Sequence, residues 1–307
     1  MRIPGGVEIS VIIPVYNPED IFFRLLEELV AQDLEVPYEI VIVDDCSPGE
    51  GFSRIKKHLE ALGQAKIKLL RTPRNSGPAA ARNLGIQRSQ GNVLVLIDAD
   101  CLVLQRRHLA RLYRAHLEHP EAIIGGGVAG SGRGYAAFAD NYCHWGTNIP
   151  GTPPQALTSG HLVTAHMLIP KSIWKKVGPF DPSLRTGEDT AFCLKSRRQG
   201  IELRLHGDII LGHQDRETWR DFLKSFYKVG KDRAAVRRSV YGEVPWFLAG
   251  SACRRGFLAP VIAGGLVAHL LIRWWPYDKR VLLAVPGLWA GMLAMALGVA
   301  SGEDKTH

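Results

Sequence analysis

The sequence predicts an α/β protein: a mostly parallel central sheet with helices on both faces, followed by C-terminal hydrophobic helices. Three observations predict it. Over the first hundred residues, short β-rich apolar runs alternate with amphipathic helical stretches, the pattern of successive βαβ units. Each apolar run has the length of a buried central strand. From Phe257 onward two long apolar runs replace that alternation.

Residues 9–14, 40–43, 67–70 and 93–97 are the expected strands, and residues 19–31, 52–62 and 78–88 the expected helices between them. Ser76 offers an N-cap for the last of these, with Pro78 near its first position, where a missing N–H costs nothing. Beyond Asp100 the order weakens. Residues 125–134 are rich in glycine, and residues 150–160 read as a loop long enough to cover an active site. A strand near 163–169, a helix over 188–199, a strand near 202–205 and a strand-like stretch at 209–211 complete the domain.

After Asp215 a helix repeats Trp219, Phe222, Leu223, Phe226 and Tyr227, with Arg220, Lys224, Lys228 and Lys231 elsewhere on its circumference. Such a helix either packs on a core or lies on an anionic bilayer surface. Residues 257–272 and 281–300 are apolar runs of 16 and 20 residues, separated by aromatic and basic residues of the kind that gather at a membrane interface. A spanning helix takes roughly 20 apolar residues, so a hairpin through the membrane is expected. A re-entrant or surface-lying pair is the other reading, because the positively charged linker would otherwise cross; two buried core helices would need a covering partner.

The 307 residues, 46% hydrophobic and 22% charged, suit one large α/β domain plus an appendage. The net charge of +8 serves nucleic acid, anionic lipid or a polyanionic substrate equally well. No short run interleaves basic residues with exposed aromatics, so no nucleic-acid partner is expected. Five widely spaced cysteines without a C-x-x-C pair argue against a disulfide frame or a zinc knuckle. The first ten residues hold no signal-peptide core, so the main domain is expected to face the cytoplasm.

The chemistry sits at the strand ends. The first strand finishes in Pro14-Val15-Tyr16-Asn17, the second in Asp44-Asp45-Cys46-Ser47 and the fourth in Asp98-Ala99-Asp100. In an open parallel sheet ligands bind beyond the carboxyl ends of the strands, so these tips should surround one crevice. Gly77 and the alanines after it would let a helix start approach a ligand closely. Two carboxylates one residue apart at a strand tip can share a ribose hydroxyl and a hard divalent cation.

These segments resemble the family 2 glycosyltransferases of the GT-A fold, over residues 10–215. The stretch Asn75-Ser76-Gly77-Pro78-Ala79-Ala80-Ala81-Arg82-Asn83-Leu84-Gly85 is similar to the family's N-x-G-x-x-x-A-R-N-x-G, Asp98 and Asp100 to its D-x-D motif, and Gly178-Pro179-Phe180-Asp181 with Glu188-Asp189 to its G-x-F-D and E-D pair. The resemblance implies a donor site of Pro14, Tyr16, Asp45, Gly77, Asp98 and Asp100, with Tyr16 and Asp45 on the base, which suits uracil and a UDP-sugar. It implies Asp189 as catalytic base with Glu188 assisting, and Mn or Mg held by Asp100, with His213 as a further metal ligand or a diphosphate contact. Arg82 is read as a structural ion pair as readily as a phosphate contact, and His161 and His166 lie in the stretch that lines the donor-sugar pocket of relatives.

The implied enzyme is an inverting, metal-dependent glycosyltransferase (hexosyltransferase type). It moves sugar from a nucleotide sugar to a saccharide or lipid-linked acceptor at the cell membrane, with membrane lipid as a further partner. The implied division is a catalytic domain at 1–214, an amphipathic helix at 215–245 and a membrane hairpin at 246–307. The Q-x-x-R-W helix of processive synthases is missing. A nucleotidyltransferase would carry a Gly-rich phosphate loop after the first strand, which residues 14–20 lack. A catalytically degenerate nucleotide-sugar-binding scaffold is opposed by the joint presence of Asp45, Asp98, Asp100 and Asp189.

Overall fold

Apart from Ser10, residues 9–15 are apolar on both alternating faces, and the strand they form, β1 (Ile9–Val15), is buried almost throughout. A strand with no polar face belongs in the middle of a sheet. The computed structural model describes residues 6–63, 66–241 and 252–301. It divides into two compact units, Met1–Val128 with Pro150–Gly212, and Ala129–Ile149 with His213–His307.

In chain order β1 is followed by α1 (Asp20–Val30), β2 (Tyr38–Asp44), α2 (Gly51–Leu62), β3 (Ile67–Arg71), α3 (Pro78–Arg88), β4 (Val93–Ile97), β5 (Cys101–Leu102), α4 (His108–Glu118) and β6 (Ala122–Gly130). Helix α5 (Gly134–His144) comes next, then β7 (Gln155–Ala156), β8 (His166–Pro170), α6 (Lys171–Val177), α7 (Glu188–Arg198) and β9 (Glu202–His213). The sheet runs β3-β2-β1-β4-β8-β6-β9-β5, with β7 paired to β9. β3, β2, β1 and β4 are parallel, whereas β8 lies antiparallel to β4 and to β6. The expected α/β architecture is therefore present, with the parallel half carrying the first three strand tips on one edge.

Helix α3 shows why its residues are small. Ala79, Ala81 and Gly85 are buried, and a Cβ on Gly85 would come within 2.7 Å of Ile12 Cγ2 and 3.0 Å of Val43 Cγ2. The small face presses on the sheet. Ser76 is not the cap of this helix: Gly77 holds that position at φ +90°, and the Ser76 hydroxyl donates to the Arg74 carbonyl.

Within the glycine-rich stretch, residues 125–130 belong to β6, which is buried through Val128. Gly126 leaves room for the His166 imidazole, and a Cβ on Gly127 would approach the Gly207 carbonyl at 2.6 Å. The two short strand segments expected after residue 202 are one long strand, β9, and the loop over 150–160 contributes the short strand β7 to it.

Between β8 and α4 lies a stacked pair of fully buried histidines. His166 Nδ1 is 3.0 Å from the Gly127 carbonyl, so that nitrogen carries the proton; Nε2 then accepts from His108 Nε2 at 3.0 Å. His108 Nδ1 is left with no partner. Burial holds both rings neutral, pushing His108 well down and His166 to about 4. A folded pKa below the unfolded value of about 6.5 means stability is complete above that pH and drains as pH falls toward 4. For His166 the loss amounts to about 3 kcal/mol. The urea midpoint should fall between pH 7.5 and pH 4.5, with a shallower slope in His166→Gln; an unchanged slope in that variant would contradict the assignment.

In the second unit α5 packs with α8 (Trp219–Tyr241), α9 (Ala252–Trp274), a 3-10 turn (Lys279–Ala284) and α10 (Val285–Ser301). Phe222 and Phe226 are the buried residues of the α8 stripe, while Trp219 and Tyr227 are exposed. Gly256–Trp274 and Lys279–Ser301 are long and apolar enough to cross a membrane, by length and composition.

Candidate active site

Chain tips at the carboxyl edge of the parallel strands are locked to one another. The Asp45 amide donates to the Val15 carbonyl at 2.7 Å and the Asn17 amide to Ser47 Oγ at 2.8 Å, joining the ends of β1 and β2. Asn17 takes φ +55°, so the chain turns sharply after Tyr16, whose ring is 52% exposed. Pro14 sits half-buried just behind it. The exposed ring at a rigid tip can stack on a flat ligand.

Asp45 is buried, and three donors reach its carboxylate: Thr72 Oγ1 at 2.8 Å, the Ser76 amide at 3.0 Å and the Gly77 amide at 2.7 Å. Its negative charge thereby caps the N-terminus of α3 from another strand, where the helix dipole favours an anion. Two carboxylate oxygens offer about four acceptor directions, so one is left for a ligand N–H. Gly77 is tight for a second reason: a Cβ there would meet Arg185 Cδ at 3.3 Å. Arg185 in turn donates to Asn75 Oδ1 at 2.7 Å, tying the 74–77 loop to the segment just before α7.

The residue that gathers the site is Arg82. Its side chain is buried, with Nη2 donating to Asp98 Oδ1 and Nη1 to Glu188 Oε1, both at 2.5 Å. One guanidinium thus brings the end of β4 and the start of α7 together, although Asp98 and Glu188 are 90 residues apart in the chain. Burial pulls the Arg82 pKa down, but Asp98 and Glu188 more than offset this and hold the guanidinium above its ordinary value. Burial pushes the Glu188 carboxyl up to about 7; Arg82 opposes the shift and Asp189 adds to it.

Asp100 is exposed beyond the strand tip, and Asp98 is half-buried. Asp189, the second residue of α7, turns Oδ1 onto its neighbour, accepting from the Thr190 amide at 2.6 Å and from Thr190 Oγ1 at 3.3 Å. Its Oδ2 has no protein partner among the described residues. Asp98 and Glu188 therefore flank one buried cation, and Asp100 and Asp189 lie within two residues of them along the chain. Such a cluster repels an anionic ligand unless a further positive charge enters with it.

Among the described residues no group of three or more His, Cys, Asp or Glu converges to hold a metal ion. Mg²⁺ and similar ions at phosphate sites are held by one or two carboxylates plus the substrate's own oxygens. Asp98 and Asp100 fit that kind of site. His213 belongs to the second unit, where its Nδ1 is 3.3 Å from Asp215 Oδ1 and its ring packs edge-on to Trp145. His161 is half-buried in a loop, and His166 is committed to the histidine pair of the sheet.

The sequence profile of Glycosyl transferase family 2 matches residues 10–172, more than half of the chain. This chain is a family 2 glycosyltransferase. Among curated relatives, glycosyltransferase AglE of Haloferax volcanii is 26% identical over 255 residues, covering 79% of this chain and 80% of AglE. The pre-mycofactocin glycosyltransferase of Mycobacterium tuberculosis is 25% identical over 96% of this chain, which spans 65% of that protein.

Solved structures share the fold at low identity. Mannosyltransferase PcManGT of Pyrobaculum calidifontis, solved with GDP-Man and Mn2+, superposes with a TM-score of 0.63 at 16% identity, covering 97% of this chain and 87% of that one. Staphylococcus aureus TarS, solved with UDP-GlcNAc, gives 0.53 at 19% identity over 89% of this chain and 74% of that one. The family 2 enzyme thus has the GT-A fold, with a C-terminal pair of apolar helices consistent with a membrane-associated hairpin.

Of the two readings of Arg82, ion pair and phosphate contact, the ion pair is present, and it has two partners where the sequence pointed to none by name. The signal was available: an arginine in the first turns of a helix whose N-terminus lies at the strand tips, in a chain with acidic residues at two other tips.

Proposed function

We propose that this glycosyltransferase moves a sugar from a nucleotide diphosphate donor, a UDP-sugar, to a hydroxyl of a saccharide or lipid-linked acceptor, with inversion at the anomeric carbon. The observation that carries the proposal is the Arg82 bridge, which holds Asp98 at the D-x-D tip and Glu188 beside Asp189 within one guanidinium. A displacement that inverts needs a donor-holding group and a proton-accepting group on opposite sides of one carbon. Strand tip and helix start supply the two.

In this reading the base of the nucleotide stacks on Tyr16 and gives its ring N–H to the remaining lone pair of Asp45, while Pro14 and Gly77 allow close approach. Asp98 Oδ2 takes a ribose hydroxyl. Asp100 would hold a divalent cation, Mn or Mg, and such an ion would supply positive charge to the departing diphosphate. Asp189 Oδ2 accepts the acceptor's hydroxyl proton as its oxygen attacks. Glu188, fixed by Arg82, orients the acceptor. The carboxylates of Asp98 and Asp100 at the strand tip support the need for a cation, since they would oppose a diphosphate arriving alone.

The experiment is nucleotide release by the full chain in detergent, over a panel of nucleotide sugars with Mn²⁺ or Mg²⁺, beside calorimetric donor titration. Asp100→Ala should weaken donor binding at least about tenfold, the worth of one good charge-assisted contact, and abolish its dependence on the cation. Donor binding by Asp100→Ala that still tightens on adding Mn²⁺ would refute the cation assignment. The enzyme is further proposed to work at the cytoplasmic face of the cell membrane, held by its C-terminal helices.

A further inference from the structure

From Gly256 to Ile272 helix α9 is apolar except for the exposed His269. One stripe, Ala259, Ala263, Val267, Leu270 and Trp274, is buried within the second unit, and the opposite stripe exposes Phe257, Val261 and Ile272 at 86%, 74% and 73%. The exposed large hydrophobics continue through Leu282 and Leu283 of the 3-10 turn to Trp289 and Leu297 of α10. So wide an apolar face calls for lipid or a partner on its open side.

The packing of α10 speaks against a spanning arrangement. A Cβ on Gly287 would collide with Ala139 of α5, one on Gly291 would lie 2.7 Å from Phe222 Cζ of α8, and one on Gly298 would strike the Tyr227 backbone. Gly230 of α8 is likewise pressed against the Met295 carbonyl, and Tyr227 donates to Ser301 Oγ at 2.7 Å. From Gly287 to Ser301, α10 is therefore flanked by α5 and α8. Over this contact α8 carries Lys224, Lys228, Lys231 and Asp232, charged side chains that are costly to place at the centre of a bilayer.

The linker is fastened as well. Tyr142 donates to Asp278 Oδ2 at 2.7 Å, Trp274 Nε1 to the Tyr142 carbonyl at 3.0 Å, and Tyr135 to the Leu283 carbonyl at 2.8 Å. Both tyrosines belong to α5, which begins four residues after the end of β6. A spanning hairpin would hold the linker on the far side of a hydrocarbon layer about 30 Å thick. A linker bonded to α5 lies on the near side.

We propose that the second unit is a monotopic, in-plane membrane module. The outward face of α9, with Leu282, Leu283, Trp289 and Leu297, enters the acyl region of one leaflet, and the occupant of this face is anionic phospholipid. Two features favour lipid over a second copy of the chain. Trp275, Tyr277 and Lys279 form the aromatic and basic border of an interface, with Lys279 Nζ 5.6 Å from the Trp275 ring. Arg220, Lys224, Lys228 and Lys231 form an exposed basic row along α8, the helix that packs on α10.

This inference deepens the membrane attachment proposed above and is tested apart from it. In inverted membrane vesicles carrying the full chain, Lys279→Cys in the linker and Glu50→Cys in the sheet unit are treated with an impermeant maleimide and read peptide by peptide. Both should label from the same side. Labelling of Glu50→Cys in sealed vesicles with Lys279→Cys reacting only after rupture would overturn the in-plane arrangement while leaving attachment intact. Purified chain should also bind vesicles of phosphatidylglycerol and phosphatidylcholine; Phe257→Ser with Ile272→Ser should weaken this at least about tenfold. Lys224→Gln with Lys228→Gln should weaken it only where the anionic lipid is present. A detergent-free dimer without vesicle affinity would overturn the lipid assignment and place a second copy on α9.

Discussion

Asp189→Asn is expected to lower the rate of glycosyl transfer about a thousandfold, in the middle of the range for losing a general base, while donor affinity stays within a factor of about three. The asparagine keeps the shape and the contacts that Oδ1 makes with Thr190. It removes the oxygen that takes the proton. Steady-state transfer and calorimetric donor titration on the same preparations separate the two effects. Equal losses of transfer and donor binding would reassign Asp189 to the donor site, and an unchanged rate would remove it from the chemistry.

Arg82→Met should be the most destabilising single change at the site. Methionine fills much of the arginine's volume but leaves the buried Glu188 carboxylate and Asp98 without their shared partner. Removing one member of a buried ion pair costs about 3 to 5 kcal/mol. Glu188, already raised by burial, then loses the one neighbour that lowers it, so the loss should shrink toward lower pH as this carboxyl takes up a proton. Urea unfolding at two pH values checks both points. Arg82→Met as stable as the parent would mean that the bridge does not organise the site. The companion change Glu188→Gln on the Arg82→Met background should recover part of the stability, because it discharges the stranded carboxylate.

Much of the fold could be read from residue patterns because the parallel strands are buried on both faces and write themselves as unbroken apolar runs, as in β1, β2 and β4. Three polar strand tips in a row marked the edge where ligands bind. The strand over residues 122–130 is not legible because glycine is depleted in strands; here its missing side chain admits the His166 ring, a partner more than 35 residues away that no local pattern announces. The cap of α3 misled for a similar reason. Ser76 looked sufficient locally, but a carboxylate from β2 does the capping. Arg82 was visible as a residue and invisible as a bridge, since its two partners come from different strand and helix ends. Helices α4 and α5 went unread, although Leu109, Leu112, Tyr113 and His116 fall at helical spacing.

The central claim is that the carboxylates around Arg82 grip a nucleotide sugar through a cation and pass its sugar on. Its most direct measurement is the release of nucleoside diphosphate from UDP-sugars by the detergent-solubilised full chain, with membrane lipid extract as acceptor source and Mn²⁺ present or chelated. The account predicts release from at least one donor that needs both metal and extract and is lost in Asp100→Ala and in Asp189→Asn. Release that survives chelation and both substitutions would contradict it.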